Sequence, residues 1–194
     1  MDSKNKANLY LIAGSVGLIL LTAASLFIGK YRITLIGLIA GDSMQWRVFL
    51  TLRASRAVIG AIGGFVLGMA GFVYQTVFRN PLASPDIIGV SSGASAGAAF
   101  GILFLSGSMA ITVSAFAGAV CSVILALVLS SITADRDGRS IVLAGIAVHS
   151  LAQTALVCLK LIADPEKQLA SIEYWIMGSL NGISIYSIKG NIIL

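Results

Sequence analysis

Apolar and polar positions fall in long blocks along this chain, without short amphipathic periods. Residues 7–29, 57–78 and 140–159 contain no Asp, Glu, Lys or Arg. Each is long enough for one bilayer crossing, which takes about 20 apolar residues. Residues 87–134 stay uncharged for 48 positions, too many for one crossing, and Ser106-Gly107-Ser108 in their middle predicts a tight turn between two helices. The pattern predicts five complete spans, at residues 9–29, 57–78, 87–105, 109–133 and 140–161.

The connections have structure of their own. Ile33 to Ala40 is an apolar patch before Gly41-Asp42, and residues 33–47 are expected to form a short interfacial segment. Asp164-Pro165-Glu166 stops the fifth helix, and residues 166–180, with Tyr174 and Trp175, suit the membrane interface. The last residues, Ile192-Ile193-Leu194, read as the opening of a sixth apolar helix, so a truncated chain is expected. The third helix has a marked predicted start: Ser84 as cap, Pro85 at the first helical position and Asp86 at the positive helix end. The expected fold is all-α, a polytopic transmembrane bundle forming one domain over residues 1–194.

Composition agrees with a membrane solvent. Hydrophobic residues make up 57% of the chain and charged residues 11%, against roughly 25% charged in soluble domains. The net charge of +5 comes from basic residues scattered singly between apolar runs. They form no stripe for nucleic acid and read instead as anchors at an anionic lipid surface. Lys4 and Lys6 before an apolar run resemble a signal peptide, but the run is long enough to span and is taken as a retained first helix. Cys121 and Cys158 sit in apolar runs without metal-site spacing, and both are expected to be small buried hydrophobes.

Glycines recur four apart on both sides of the polar turn Arg79 to Asp86: Gly60, Gly64 and Gly68 before it, then Gly89, Gly93, Gly97 and Gly101 after it. Positions four apart share a helix face, so each ladder is a groove where another backbone can approach. The second and third helices are therefore expected to press together, with a gate hinge as the other use of the glycines. Gln75 and Asn80 are the amides expected to bond between helices or to line a pathway. His149, the sole histidine, falls in mid-span and receives no role.

Three groups of residues, taken together, carry a resemblance. They are Leu52-Arg53-Ala54-Ser55-Arg56, Gly60 to Gln75, and the run Arg79 to Ser95 that contains Asn80-Pro81 and Ser84-Pro85. With Leu143 to Val148, Asp164 to Ser171 and Trp175 to Leu180, they resemble the FecCD-type permeases of ABC importers for iron-siderophores, haem and vitamin B12. The resemblance implies a ten-span subunit of the cytoplasmic membrane with a cytoplasmic N-terminus, pairing with itself or a close relative around a central pathway. Separate cytoplasmic ATPase subunits would use the ATP, and an external binding protein would deliver substrate. No catalytic site, cofactor or metal is expected in this chain, which has no Walker-type loop.

The implied orientation places more basic residues outside than inside, against the positive-inside rule. The resemblance gives that imbalance a use. Arginines at the positions of Arg53 and Arg56 meet acidic residues of the binding protein in relatives, and guanidinium forks suit carboxylates; anchoring at the headgroups is the alternative. Relatives usually carry Leu-Pro between the two arginines where this chain has Ala54-Ser55, which predicts a shifted helix start.

Two other classes remain open on the residues. One is a secondary transporter or channel built on broken helices. The other is an intramembrane serine protease with Ser91, Ser92 or Ser95 as nucleophile and His149 as base.

Overall fold

The computed structural model describes residues 3–79, 81, 84–132 and 138–183. The described residues are helical, with turns and short connections between the helices: α1 (Ser3–Phe27), α2 (Leu35–Ile39), α3 (Ser43–Val48), a π-helical segment (Phe49–Ala54), α4 (Ser55–Phe78), α5 (Val90–Phe104), α6 (Ser108–Ile132), α7 (Gly138–Ile162) and α8 (Gln168–Met177). Four helical stretches are long and apolar enough to cross a membrane, at Asn8–Phe27, Ser43–Phe78, Ser108–Ile132 and Ser140–Ile162, and Val90–Phe104 is a shorter apolar helix. The chain divides into two compact units, Met1–Gly64 with Leu180–Leu194, and Phe65–Ser179.

In the first unit, the connection after α1 is held by side-chain hydrogen bonds around one buried hydrophobic, Ile33. Thr34 caps α2 by accepting from Gly37 N–H at 3.1 Å, and Gln45 Oε1 accepts from Thr34 N–H at 2.9 Å. Asp42 caps α3, accepting from the N–H groups of Met44 and Gln45 at 2.9 and 3.3 Å, while Gln45 Nε2 donates to its other oxygen at 3.0 Å. These bonds favour the ionised Asp42 carboxyl and hold it below its ordinary range, chiefly through the Gln45 backbone N–H. Trp46 Nε1 donates to Leu38 O at 2.8 Å and packs edge-on against Phe49.

The expected separation between an interfacial segment and the second span does not occur. Helix runs continuously from Ser43 to Phe78, 36 residues. At 1.5 Å per residue that is about 54 Å, well beyond a hydrocarbon layer of about 30 Å, so one end of this helix stands outside it. No helix start falls at Ala54-Ser55, where a shifted one is predicted; a π-helical segment instead lets the helix pass through these residues without ending.

In the second unit, α5 packs against α6, α7 and α8, and α6 packs against α7. Two small clusters form its interior: Ala99, Leu156, Ala163 and Ile172, and separately Ile88, Ala126 and Val148 with Tyr74 and Phe78 against them. Gly107 turns the chain between α5 and α6 at φ +97°. The connection from α7 to α8 is capped from both directions. Asp164 Oδ1 accepts from Glu166 and Lys167 N–H at 2.9 and 3.1 Å, Gln168 Oε1 accepts from Asp164 N–H at 3.0 Å, and Pro165 occupies a position where no N–H is needed. Lys160 and Glu173 pair across this turn at 2.8 Å.

The third helix starts later than the sequence predicts. Ser84, Pro85 and Asp86 lie ahead of α5, whose N-cap is Gly89 in the left-handed region at φ +85°. Gly89 N–H donates to Asp86 O at 3.0 Å and Val90 N–H to Pro85 O at 3.4 Å. This is the paired bonding that closes a helical turn with a left-handed glycine. Pro85 to Ile88 is thus a separate turn, ended by the glycine that precedes α5. The two cysteines also depart from expectation: Cys121 and Cys158 are exposed on their helices.

Candidate functional site

Along the seam between α5 and α6 the two backbones approach closely. A Cβ placed on Gly93 would strike Ser122 Oγ and lie 2.6 Å from Gly118 O. On Gly97 it would strike Ser114 O and lie 3.2 Å from Ala115 Cα, and on Gly101 it would strike Ser114 Oγ and lie 3.0 Å from Ile111 Cα. Three successive rungs of one ladder therefore face one helix, with no room for a side chain. Gly118 answers from α6, where a Cβ would strike Gly93 O and lie 3.1 Å from Gly97 Cα.

Gly89 meets α7 instead. A Cβ there would lie 3.0 Å from His149 N, and one on Gly145 would lie 2.8 Å from Ile88 Cα. The turn before α5 is thus pressed into α7 backbone against backbone. His149 Nδ1 is buried with no hydrogen-bond partner among the described residues.

The other ladder has different surroundings. Among the described residues, a Cβ on Gly64 or on Gly68 would meet nothing within 4 Å, and one on Gly60 would make ordinary contact with Leu180 Cδ1 at 3.6 Å. Within the second unit the α5 ladder pairs with α6, and Gly68, the α4 rung in that unit, does not meet it. Gln75 is exposed on α4, Pro81 is exposed, and Ser84 and Pro85 are half-buried. Asn80 lies outside the described residues.

Neither guanidinium of the arginine pair meets a carboxylate among the described residues. Arg53 donates to Ile28 O and, at 3.1 Å, to Tyr31 O. Arg56 Nη2 donates to Asn181 O at 2.6 Å, while its Nε is buried without a partner among the described residues. Both charges are held against backbone carbonyls of their own unit.

A cavity of about 290 Å³ opens beside Tyr74, Phe78, Ile88, Ala126, Leu127 and Ile141. Its aliphatic and aromatic walls suit an acyl chain or a neighbouring helix better than a polar chelate. Among the described residues, no cluster of three His, Cys, Asp or Glu is placed to hold a metal.

The α6 side of the seam was legible in the sequence and was missed. Ser114, Gly118 and Ser122 are themselves four apart, a second small-residue face within the same uncharged stretch.

Residues 17–193 match the FecCD transport family. The chain is 32% identical over 206 residues to a Methanocaldococcus jannaschii protein assigned as an ABC transporter permease, covering 93% of this chain and 58% of that one. It is 35% identical over 133 residues to the cobalamin import system permease BtuC of Halobacterium salinarum, covering 68% of this chain and 36% of that one. Its fold matches an inward-facing structure of a transporter assigned to the metal-chelate ABC type, with TM-score 0.79 and 27% identity over 92% of this chain and 56% of the other. The chain spans at most about 58% of the length of these curated relatives. With its helix order, its apolar spans and the match over almost its whole length, this multi-pass membrane chain belongs to the FecCD transport family.

Proposed function

We propose that this chain is part of the permease subunit of an ABC importer that moves an iron-siderophore, haem or cobalamin-type substrate across the cytoplasmic membrane. The observation that carries the reading is the family match over residues 17–193. Close backbone packing along α5 supports it, since a permease needs helical bodies that move without losing internal register. ATP hydrolysis belongs to separate cytoplasmic subunits, and this chain has no catalytic site or cofactor of its own. A second permease subunit, identical or closely related, completes the pathway, and the N-terminus is cytoplasmic.

Arg53 and Arg56 then lie on the outer side, where an external binding protein presents acidic residues. Carbonyl bonds fix both guanidiniums in position while leaving their charge unneutralised by any carboxylate among the described residues, which suits electrostatic steering of an acidic partner.

The test is uptake by the full-length protein, expressed with its ATPase and binding-protein partners and offered vitamin B12, haem or a ferric siderophore. Uptake of one of these that stops when the ATPase is inactivated is expected. Uptake that persists without the ATPase would overturn the reading in favour of a secondary transporter. Arg53→Glu with Arg56→Glu should weaken binding-protein affinity about tenfold at low salt, and unchanged affinity removes the docking role.

A further inference from the structure

We propose that Ser55 is a positioning residue for the arginine pair, its hydroxyl closing a π-bulge that sets the rotational phase of residues 43–52, and of the carbonyls beside them, relative to Arg53 and Arg56. The functional half of this inference rests on the docking role of that pair proposed above; the structural half stands on its own.

A π-helical turn is rare, and it occurs mostly as a single-turn bulge inside an α-helix, often at a functional site. Phe49–Ala54 forms one between α3 and α4. A bulge carries one residue more than the α-helix it interrupts, so backbone groups beside it lose their usual partners. Ser55 repairs this. Its Oγ donates to Leu50 O, five residues back, at 3.0 Å, while its own N–H is directed to Leu52 O. Ser55 is the buried residue of α4, at 7% exposure. A hydroxyl in that position satisfies a carbonyl that a straight helix would satisfy with backbone.

The bulge is gripped at both ends within the first unit. Upstream, the Phe49 ring lies 6.5 Å from Phe27 and 5.9 Å from Trp46, and the Arg53 guanidinium holds the carbonyls of Ile28 and Tyr31. Downstream, Arg56 holds Asn181 O. An α-helix advances about 100° per residue. Straightening the bulge would therefore turn residues 43–52 by about that angle relative to α4, and the two arginines could not keep both sets of carbonyls. The hydroxyl selects the phase in which they do.

The experiment scans single cysteines at positions 44–52 in the full-length permease, with Cys121 and Cys158 replaced by Ala, using a membrane-impermeant maleimide. The reactive positions are expected to shift by one residue in Ser55→Ala and to keep the wild-type pattern in Ser55→Thr. Deleting Ala54 in the Ser55→Ala background removes the extra residue and should restore the original pattern. If Ser55→Ala does not accumulate, Ser55→Val, which matches Thr in shape but lacks the donor, serves instead. An unshifted pattern in the variant without a hydroxyl overturns the proposal.

A second measurement separates this from the docking reading. Affinity of the purified external binding protein at low salt should fall about fivefold in Ser55→Ala and recover in Ser55→Thr. If the double change Arg53→Glu and Arg56→Glu leaves that affinity unaltered, docking fails while the cysteine pattern still decides the role of Ser55. If the arginine change weakens affinity and Ser55→Ala does not, the positioning role fails and docking stands.

Discussion

Helices α4 and α5 carry glycines at the same four-residue spacing, yet the two ladders meet opposite surroundings. Gly93, Gly97 and Gly101 lie so close to α6 that a methyl group on any of them would collide with its serines or its backbone. Gly64 and Gly68 could each accept a methyl group without touching anything within 4 Å among the described residues. Spacing records that a helix can be approached closely. What approaches depends on whether another helix offers small residues in matching register, as α6 does with Ser114, Gly118 and Ser122.

The strongest way to break this contrast is Gly97→Val. Its Cβ would strike Ser114 O and lie 3.0 Å from the Ser114 carbonyl carbon, and backbone cannot move aside as a side-chain tip can. Thermal unfolding of the detergent-solubilised protein should show a loss of about 3 kcal/mol, the upper range for overpacking a tight interior. An unchanged melting temperature would mean the seam is looser than described.

Gly89→Ala comes next. It places an L side chain at φ +85° and within about 3.0 Å of His149 N, and the left-handed conformation alone costs about 1–2 kcal/mol. The loss should appear in the same unfolding measurement.

Gly68→Ala should do the reverse, gaining up to about 1 kcal/mol from helix propensity because the added methyl meets open space. Gly68→Leu sharpens the comparison further. If the α4 face is covered by another subunit in the assembled transporter, this variant keeps its own stability within about 0.5 kcal/mol and fails to co-purify with that subunit. Normal co-purification would leave the α4 face to lipid.

The smallest effect lies away from both ladders. Asp42 has a folded-state pKa below the ordinary value of 3.8, so its contribution to stability is fully present above that value and lost as pH falls through the lower folded pKa. Between pH 5 and 8, Asp42→Asn should therefore leave the pH dependence of unfolding unchanged; a new slope in that window would contradict the assignment.

The sequence shows the seam only in part, and the reason is physical. Long uncharged blocks set where helices form, because lipid leaves the backbone no other way to satisfy its hydrogen bonds. The same uniform apolarity hides which faces touch, since a lipid-facing and a helix-facing side chain look alike. Pro85 illustrates a second limit. Its local preference for a first helical turn is met, but the turn ends at once because Gly89 is pressed against α7, a long-range contact that no local signal carries. The π-bulge is a third case. Ala54-Ser55 looks like an ordinary helix interior, and only the hydroxyl bond to Leu50 O reveals the extra residue. Cys121 and Cys158 fail differently: in a membrane protein an apolar neighbourhood along the chain does not imply burial.

The joint between α7 and α8 has a bearing on where in the bilayer it can lie. Asp164 and Gln168 supply hydrogen-bond partners for the backbone donors of the bend from within the bend itself, so solvent is not required to complete them. The backbone of this corner keeps its bonds however wet the headgroup layer is, while the exposed side chains of Asp164, Glu166 and Lys167 tie the corner itself to water.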